Sequence, residues 1–446
     1  MQNHRVSDVK GQGMTRREFM WLSSMTAAGF VVGCATNPVT GRNQFMLVSE
    51  GQEIQMDKQH SPHQVSADYG ICQDTSLNNY VKQVGRKQVP LTHRPGMPYS
   101  FNVVNATYVN AYAFPGGTIA ATRGIMLKME NEAQLSSLIG HELGHVNARH
   151  TAQQMSKSQV AGVLMSGVSA YLGTTKYAKY GQITQQLGML GAGMLLASYS
   201  RENEREADRL GNEYMVKAGY NTDGFVDLME MLKNLSNHKS NAVEMLFSTH
   251  PMSTERYSSA VRDANGKYRA TKSKSLGRDR YKDHTAKLRR MRKSIEAMQK
   301  GEAAMAQNKF KTAESSFKQA LRTNSNDYTG MLLMTKCLLA QKKNREAENF
   351  ATRAIRRYPT EAQAYHLSGY AKIQNRRFNS AYEAFGKYDK LLPGNPNMVF
   401  FKGYSLEGMN QKKSSANHYQ KYLQLSQQGD MAKHASQRLK DWGYIK

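Results

Sequence analysis

From Ser294 to its C-terminus the chain repeats itself every 34 residues, a period that leaves few folds open. Gly301, Thr335, Gly369 and Gly403 share one phase, and Ala313, Ala347, Ala381 and Ser415 recur twelve residues later. Phe317, Ala351, Phe385 and Tyr419 follow, then Ala320, Ala354, Tyr388 and Tyr422; Pro359 and Pro393 close the two middle copies. Small residues at the first two phases let paired helices approach closely, and the larger residue fills the space between units. Each unit then touches only its neighbours, so the expectation is an all-α stack.

The pattern resembles the tetratricopeptide repeat, with four copies starting near Ser294, Tyr328, Ala362 and Pro396. The first and last copies lack the closing proline, as capping units can. The resemblance implies a concave groove suited to peptides or extended chains.

At 446 residues the chain has room for two or three domains. A hydrophobic fraction of 39% with 22% charged residues excludes a wholly disordered chain and a polytopic membrane protein. Three cysteines exclude a disulfide-dense scaffold and a four-cysteine zinc module. The formal net charge of +26 fits nucleic acid, anionic lipid or acidic protein equally by sign.

The first 33 residues have the order of an export signal. Arg16 and Arg17 precede an apolar run from about Phe19 to Val32, too short for the roughly 20 residues that span a bilayer. The run ends at Val31-Val32-Gly33-Cys34, which resembles a lipobox with Cys34 lipidated after cleavage; the paired arginines resemble a twin-arginine signal. Met14 offers an alternative start. A mature chain beginning at Cys34 works outside the cytoplasm, and Ala35, which is not acidic, favours the outer membrane over inner-membrane retention.

His141-Glu142-Leu143-Gly144-His145 carries the chemistry. Leu135, Leu138 and Ile139 at helical spacing place it on a buried helix. Residues four apart lie about 40° apart around a helix, so both imidazoles face one point and can hold one zinc ion. Glu142 can reach water held there and act as general base. His150 lies nine residues after His141 and, on a continuous helix, points about 180° away, which makes it a surface or supporting residue rather than a ligand. Thr151 stands where an extended motif would need a third histidine.

The third ligand must therefore come from elsewhere. Ser200-Arg201-Glu202-Asn203-Glu204-Arg205-Glu206-Ala207-Asp208 offers carboxylates on a second helical stretch, with Glu204 and Asp208 on one face and Glu202 and Glu206 on another. Spacing does not choose between these pairs. Between the two motifs, Val160–Gly173 and Gly188–Tyr199 are apolar runs too short to span a membrane, expected as core or covering helices.

HELGH followed by ENEREADRLG resembles the peptidase family of CAAX prenyl endopeptidases and HtpX, and most closely its periplasmic branch, the beta-barrel assembly-enhancing proteases, which join this domain to tetratricopeptide repeats. Asn105, the run Asn110-Ala111-Tyr112-Ala113-Phe114-Pro115-Gly116-Gly117 and the opening Asn37-Pro38-Val39-Thr40-Gly41 are also similar. The resemblance implies that Glu204 is the third ligand and Asp208 its helper. It places His250, ahead of Pro251, Glu255 and Arg256, near the metal, either completing the shell at rest or stabilising the oxyanion. Tyr108 to Ile119 reads as strand-like residues running into a Phe-Pro-Gly-Gly turn, either an edge strand through Asn110, Ala111 and Tyr112 that pairs with substrate backbone or an ordinary hairpin.

The expected fold class is α+β, mainly α: a zincin-like HExxH metalloprotease domain followed by an all-α tetratricopeptide solenoid. The expected boundaries are 1–33 for the signal with Cys34 lipidated, 35–261 for the peptidase domain, 262–293 for a basic linker and 294–446 for the repeats. The stretch Arg262–Lys300, with fourteen Lys/Arg against four Asp/Glu, is a linker or solvated helix by default and otherwise a surface for anionic lipid. The expected function is hydrolysis of misfolded or stalled envelope proteins with one Zn2+ per chain, the repeats binding substrate or the outer-membrane barrel assembly machinery, a lipid anchor holding the chain at the membrane, and no nucleic-acid partner. The rival function is a chaperone-like scaffold with little proteolysis. Cys72 and Cys337, the thiols left after Cys34, are candidates for a bond between domains in an oxidising compartment.

Overall fold

The structure is a computed structural model that describes residues 34–160, 198–237 and 241–446. The export segment and most of both apolar runs between Val160 and Tyr199 lie outside the described residues. Cys34 is the first described residue; only its backbone is described. Among the described residues no helix is long and apolar enough to cross a membrane.

Strands β1 (Cys34–Thr36) and β2 (Asn43–Phe45) pair antiparallel with Cys34 opposite Phe45. The Asn37–Gly41 run is their turn: Asn37 Oδ1 accepts from Val39 N and Thr40 N, and Gly41 takes φ +67°. Helices α1 (Glu50–Ala67) and α2 (Thr75–Gln88) follow, then a sheet of β3 (Ser100–Val104), β4 (Ala111–Ala113) and β5 (Thr118–Thr122). β5 is central, parallel to β3 and antiparallel to β4, which leaves β4 at an edge. A single turn α3 (Arg123–Met126) leads to α4 (Glu132–Asn147) and α5 (His150–Val160). After residue 198 come α6 (Arg201–Lys217), α7 (Asp223–Ser236), α8 (Asn241–Thr249) and α9 (Thr254–Asn265).

The basic stretch is largely helical. It holds α10 (Arg278–Arg290) and the start of α11 (Arg292–Ala306), with Tyr281, Thr285 and Leu288 buried. Tyr281 Oη donates to Met126 O at 2.6 Å, and Arg289 and Arg292 donate to Met129 O and Leu127 O. Apart from these two arginines its basic side chains are exposed, while one stripe seals the N-terminal domain.

The repeats pair α11 with α12 (Phe310–Thr323), α13 (Tyr328–Ala340) with α14 (Asn344–Arg357), α15 (Gln363–Gln374) with α16 (Phe378–Leu391) and α17 (Pro396–Gly408) with α18 (Lys412–Leu425), and α19 (Asp430–Asp441) caps the stack. A Cβ on Gly301 would meet the Phe317 ring at 2.2 Å and one on Gly369 the Phe385 ring at 2.6 Å, so the small–large alternation is helix-pair packing. Each turn inside a pair uses a left-handed residue, Asn308, Lys342, Arg376 and Asn410 at φ +58° to +60°, again 34 positions apart. The bonds Lys309 N→Ala304 O and Asn308 N→Met305 O, repeated in each copy, complete the helix C-caps.

The first repeats do not leave their concave face open. α13 is buried from Tyr328 to Leu338, and much of what covers it is the N-terminal domain. Arg123 donates to both carboxylate oxygens of Asp327 at 2.8 and 3.3 Å, Asn105 O accepts from Thr329 Oγ1, and Lys336 Nζ donates to Tyr69 Oη at 3.1 Å. Thr107 bonds Glu302, and Ser66 and Tyr328 share Glu361. One apolar core runs from Ile125 and Met129 through Ile295 and Met298 to Met331. The groove expected along all four copies is therefore filled at α13. Cys72 and Cys337 are separate free thiols rather than an interdomain bond; Cys337 Sγ donates to Phe310 O.

Glu407 ties the cap to the stack. Burial works to raise its pKa, but hydrogen bonds from His434, Tyr419 and Arg438 hold the carboxyl down to about 2. A carboxyl depressed on folding contributes stability above its unfolded pKa, near 4.3, and loses it as pH falls toward 2. In the chain from Ala35 onward Trp442 is the single tryptophan, stacked on Tyr419 at 6.2 Å. Its fluorescence is expected to shift red between about pH 4.5 and 2. Glu407→Gln is expected to show that shifted spectrum already at neutral pH. An unchanged neutral spectrum in the variant would refute the anchor.

Candidate metal centre

α4 is buried along its whole length, N-capped by Asn131, whose Oδ1 accepts from Gln134 N at 2.8 Å. α6 is capped by Ser200 and Asn203, which exchange side-chain bonds with each other's backbone N–H. The two helices cross almost backbone to backbone. A Cβ on Gly144 would lie 2.9 Å from Ala207 Cα, one on Gly140 2.7 Å from Gly211 O, and one on Gly211 2.6 Å from His141 N. This closeness brings the short carboxylates of α6 to the histidines of α4.

His141 Nε2 and His145 Nε2 are 3.1 Å apart; Glu204 Oε1 lies 3.3 Å from His145 Nε2, and Oε2 3.6 Å from His141 Nε2. Those spacings match the roughly 3.3 Å edges of a tetrahedron drawn with zinc bonds of about 2.0–2.1 Å. His250, just beyond α8, places Nδ1 3.0 Å from Glu204 Oε1 and Nε2 4.0 Å from Glu142 Oε1. One donor atom from each of His141, His145, Glu204 and His250 falls within 4.8 Å of the other three. Imidazole nitrogens and a carboxylate are the donor set of a tetrahedral zinc site, and the residues fit it.

Asp208 Oδ1 lies 2.9 Å from His141 Nδ1. A carboxylate only accepts, so His141 carries its proton on Nδ1 and turns the bare Nε2 inward. Arg256 holds Asp208 bidentately at 2.6 and 2.7 Å and reaches Glu204 Oε2 at 2.7 Å. The helper position and Arg256 thus form one clamp. Against the cost of burial, His250 and Arg256 hold the Glu204 carboxyl well below the usual range. Burial raises Glu142 and lowers His145 far below an ordinary imidazole. Burial also opposes charge on His250, but the Glu204 carboxylate raises its pKa on balance.

Glu202 is exposed and pairs with Arg205, while Glu206 turns to His150. Of the two carboxylate pairs on α6, Glu204 and Asp208 are the one at the histidines. Asn110, Ala111 and Tyr112 lie in or beside edge strand β4, all buried, with Tyr112 Oη donating to Asp68 at 2.6 Å. Asn105 donates to Tyr69 O and Ile71 O.

Residues 75–263 match the model of peptidase family M48, and residues 304–373 match that of the tetratricopeptide repeat. The chain is 27% identical over 241 residues to the beta-barrel assembly-enhancing protease of Escherichia coli (strain K12), covering 54% of this chain and 49% of that protein. It is 33% identical over 174 residues to metalloprotease YcaL of the same organism, covering 39% of this chain and 65% of that one. To the mitochondrial metalloendopeptidase OMA1 of Schizosaccharomyces pombe it is 26% identical over 247 residues, covering 54% and 70%. The chain spans about half the length of the beta-barrel assembly-enhancing protease it matches.

Proposed function

We propose, from a peptidase family M48 domain joined to C-terminal tetratricopeptide repeats, that this chain is a zinc-dependent endopeptidase of the bacterial cell envelope that cleaves misfolded or stalled outer-membrane proteins. The observation that carries it is the convergence of His141, His145 and Glu204 on one point with Glu142 beside them. His141, His145 and Glu204 would hold the ion. When bound, zinc polarises the scissile carbonyl and lowers the pKa of water toward 7.

The remaining work falls to the chain. Glu142 takes the proton of the attacking water through its oxygens and returns it to the leaving amine. Its raised pKa suits both halves, because the protonated form persists closer to neutrality. Arg256 and Asp208 keep His141 and Glu204 oriented so the site does not reorganise during the reaction. His250 fills the remaining side of the cluster at rest; with substrate present its Nε2–H faces the space beside Glu142 and serves the developing oxyanion. β4, through Asn110, Ala111 and Tyr112, offers the edge along which a substrate chain pairs.

The envelope setting rests on the signal-like first 33 residues with Cys34, and on the beta-barrel assembly-enhancing proteases among the relatives. Unfolded outer-membrane barrel proteins are the substrate class, and the barrel assembly machinery is the partner for the repeats. The chain from Ala35 onward, incubated with an unfolded barrel protein, is expected to produce fragments with zinc and none after chelation. Readdition of zinc restores them. Intact substrate in every lane, with zinc shown bound, would reject the peptidase reading in favour of a scaffold.

A further inference from the structure

His150 has no part in the ligand set, yet it is fully buried against it. A continuous helix would carry it to the far side of α4, but the helix ends at Asn147 and Arg149 takes a left-handed φ of +59°. Arg149 is held in that turn by Glu53 Oε1 at 3.1 Å and Val48 O at 2.6 Å. The turn swings His150, now the first residue of α5, back toward His145. His150 Nδ1 comes to 2.9 Å from His145 Nδ1, and its Nε2 to 3.1 Å from Glu206 Oε2.

The proton positions follow from the end of this chain. Glu206 accepts, so His150 Nε2 donates; a neutral imidazole then has a bare Nδ1, which accepts from His145 Nδ1–H. That leaves His145 Nε2 bare and aimed at His141 Nε2 and Glu204. The two ligand histidines are therefore supported differently, His141 directly by Asp208 and His145 by a carboxylate acting through a second imidazole. Both carboxylates come from α6.

We infer that His150 and Glu206 are positioning residues that fix the tautomer and orientation of His145 and so strengthen metal binding. The inference rests on the metallopeptidase reading above, because it assigns His145 as a ligand. Partners that hold a ligand histidine in place are worth about 10–100-fold in metal affinity.

The test measures zinc affinity of the full chain by competition with a chromophoric chelator, alongside the visible absorption of the cobalt-loaded chain and the thermal midpoint of the metal-free chain. His150→Leu is expected to weaken zinc binding about 10–100-fold and to perturb the cobalt spectrum. His150→Asn keeps an acceptor near the Nδ1 position and is expected to recover most of the loss, which a purely space-filling role would not predict. Glu206→Gln, at a partly exposed site, should weaken binding severalfold without moving the metal-free midpoint. His150→Leu within about twofold of wild type would overturn the inference. Should that variant fail to fold, unchanged affinity and cobalt spectrum in Glu206→Gln would overturn it instead. A wild-type chain that binds no zinc would overturn the metal-site reading and this inference together; a wild type that binds, with variants that match it, would overturn this inference alone.

Discussion

Glu142→Gln is expected to abolish turnover, lowering kcat by about 10²–10⁴-fold or more, while zinc affinity stays within a few-fold of wild type. The separation follows from placement. Glu142 is not among the four side chains whose donor atoms cluster, so its replacement removes no ligand. Among the described residues nothing hydrogen-bonds its Oε2, so the amide breaks no structural bond there. Stability should hold or rise. A carboxyl whose pKa is raised on folding stabilises at low pH and loses that contribution as pH climbs through its folded value, so at neutral pH the buried acid is a burden that glutamine lacks. Cleavage assays at matched zinc content, with a melting curve for each protein, read all three quantities. Cleavage within tenfold of wild type would remove Glu142 from the role of base.

Arg123→Met should destabilise the folded chain by about 3–5 kcal/mol, the penalty typical of removing one partner from a buried ion pair. Arg123 and Asp327 are both almost completely buried, and their paired contacts at 2.8 and 3.3 Å join the N-terminal domain to α13. Asp327 also caps α13 by accepting from Gly330 N at 3.0 Å, so losing its cation strands a charge at a helix start between two domains. The double variant with Asp327→Asn keeps the cap while removing that charge, and should recover a large part of the loss in urea midpoint. A single-variant loss under about 1 kcal/mol, or no recovery in the double variant, would show that the pair does not hold the domains together.

The parts of this molecule that were visible in the sequence are those set by local spacing. HELGH places two imidazoles one turn apart on any helix, and the 34-residue phases of Gly301, Phe317 and their counterparts describe contacts within a helix pair. Choosing Glu204 over Glu202 or Glu206 needed the family likeness, since spacing fitted both pairs. Arg256 lies 48 positions from the Asp208 it clamps, and no periodicity links them. Extending a helix through Arg149 turns His150 to the far side of α4, whereas the chain brings it back beside His145; Arg149 is a residue type that gives no warning of a left-handed turn. Lys342 and Arg376 hide the repeat turns in the same way. One missed signal was present: Met331 to Leu339 is apolar on nearly every side, which marks a helix buried all round, and α13 is covered by the other domain.

The crossing of α4 and α6 bears on how such a site is moved to another scaffold. Its candidate ligands, His141, His145 and Glu204, meet where Gly140, Gly144, Ala207 and Gly211 let two backbones touch. Grafting His141, His145 and Glu204 onto two helices held farther apart would lengthen the 3.3 and 3.6 Å separations between the carboxylate and the imidazoles. The transferable unit is the contact between the helices, and in that unit a glycine with no donor atom to offer is as indispensable as either histidine.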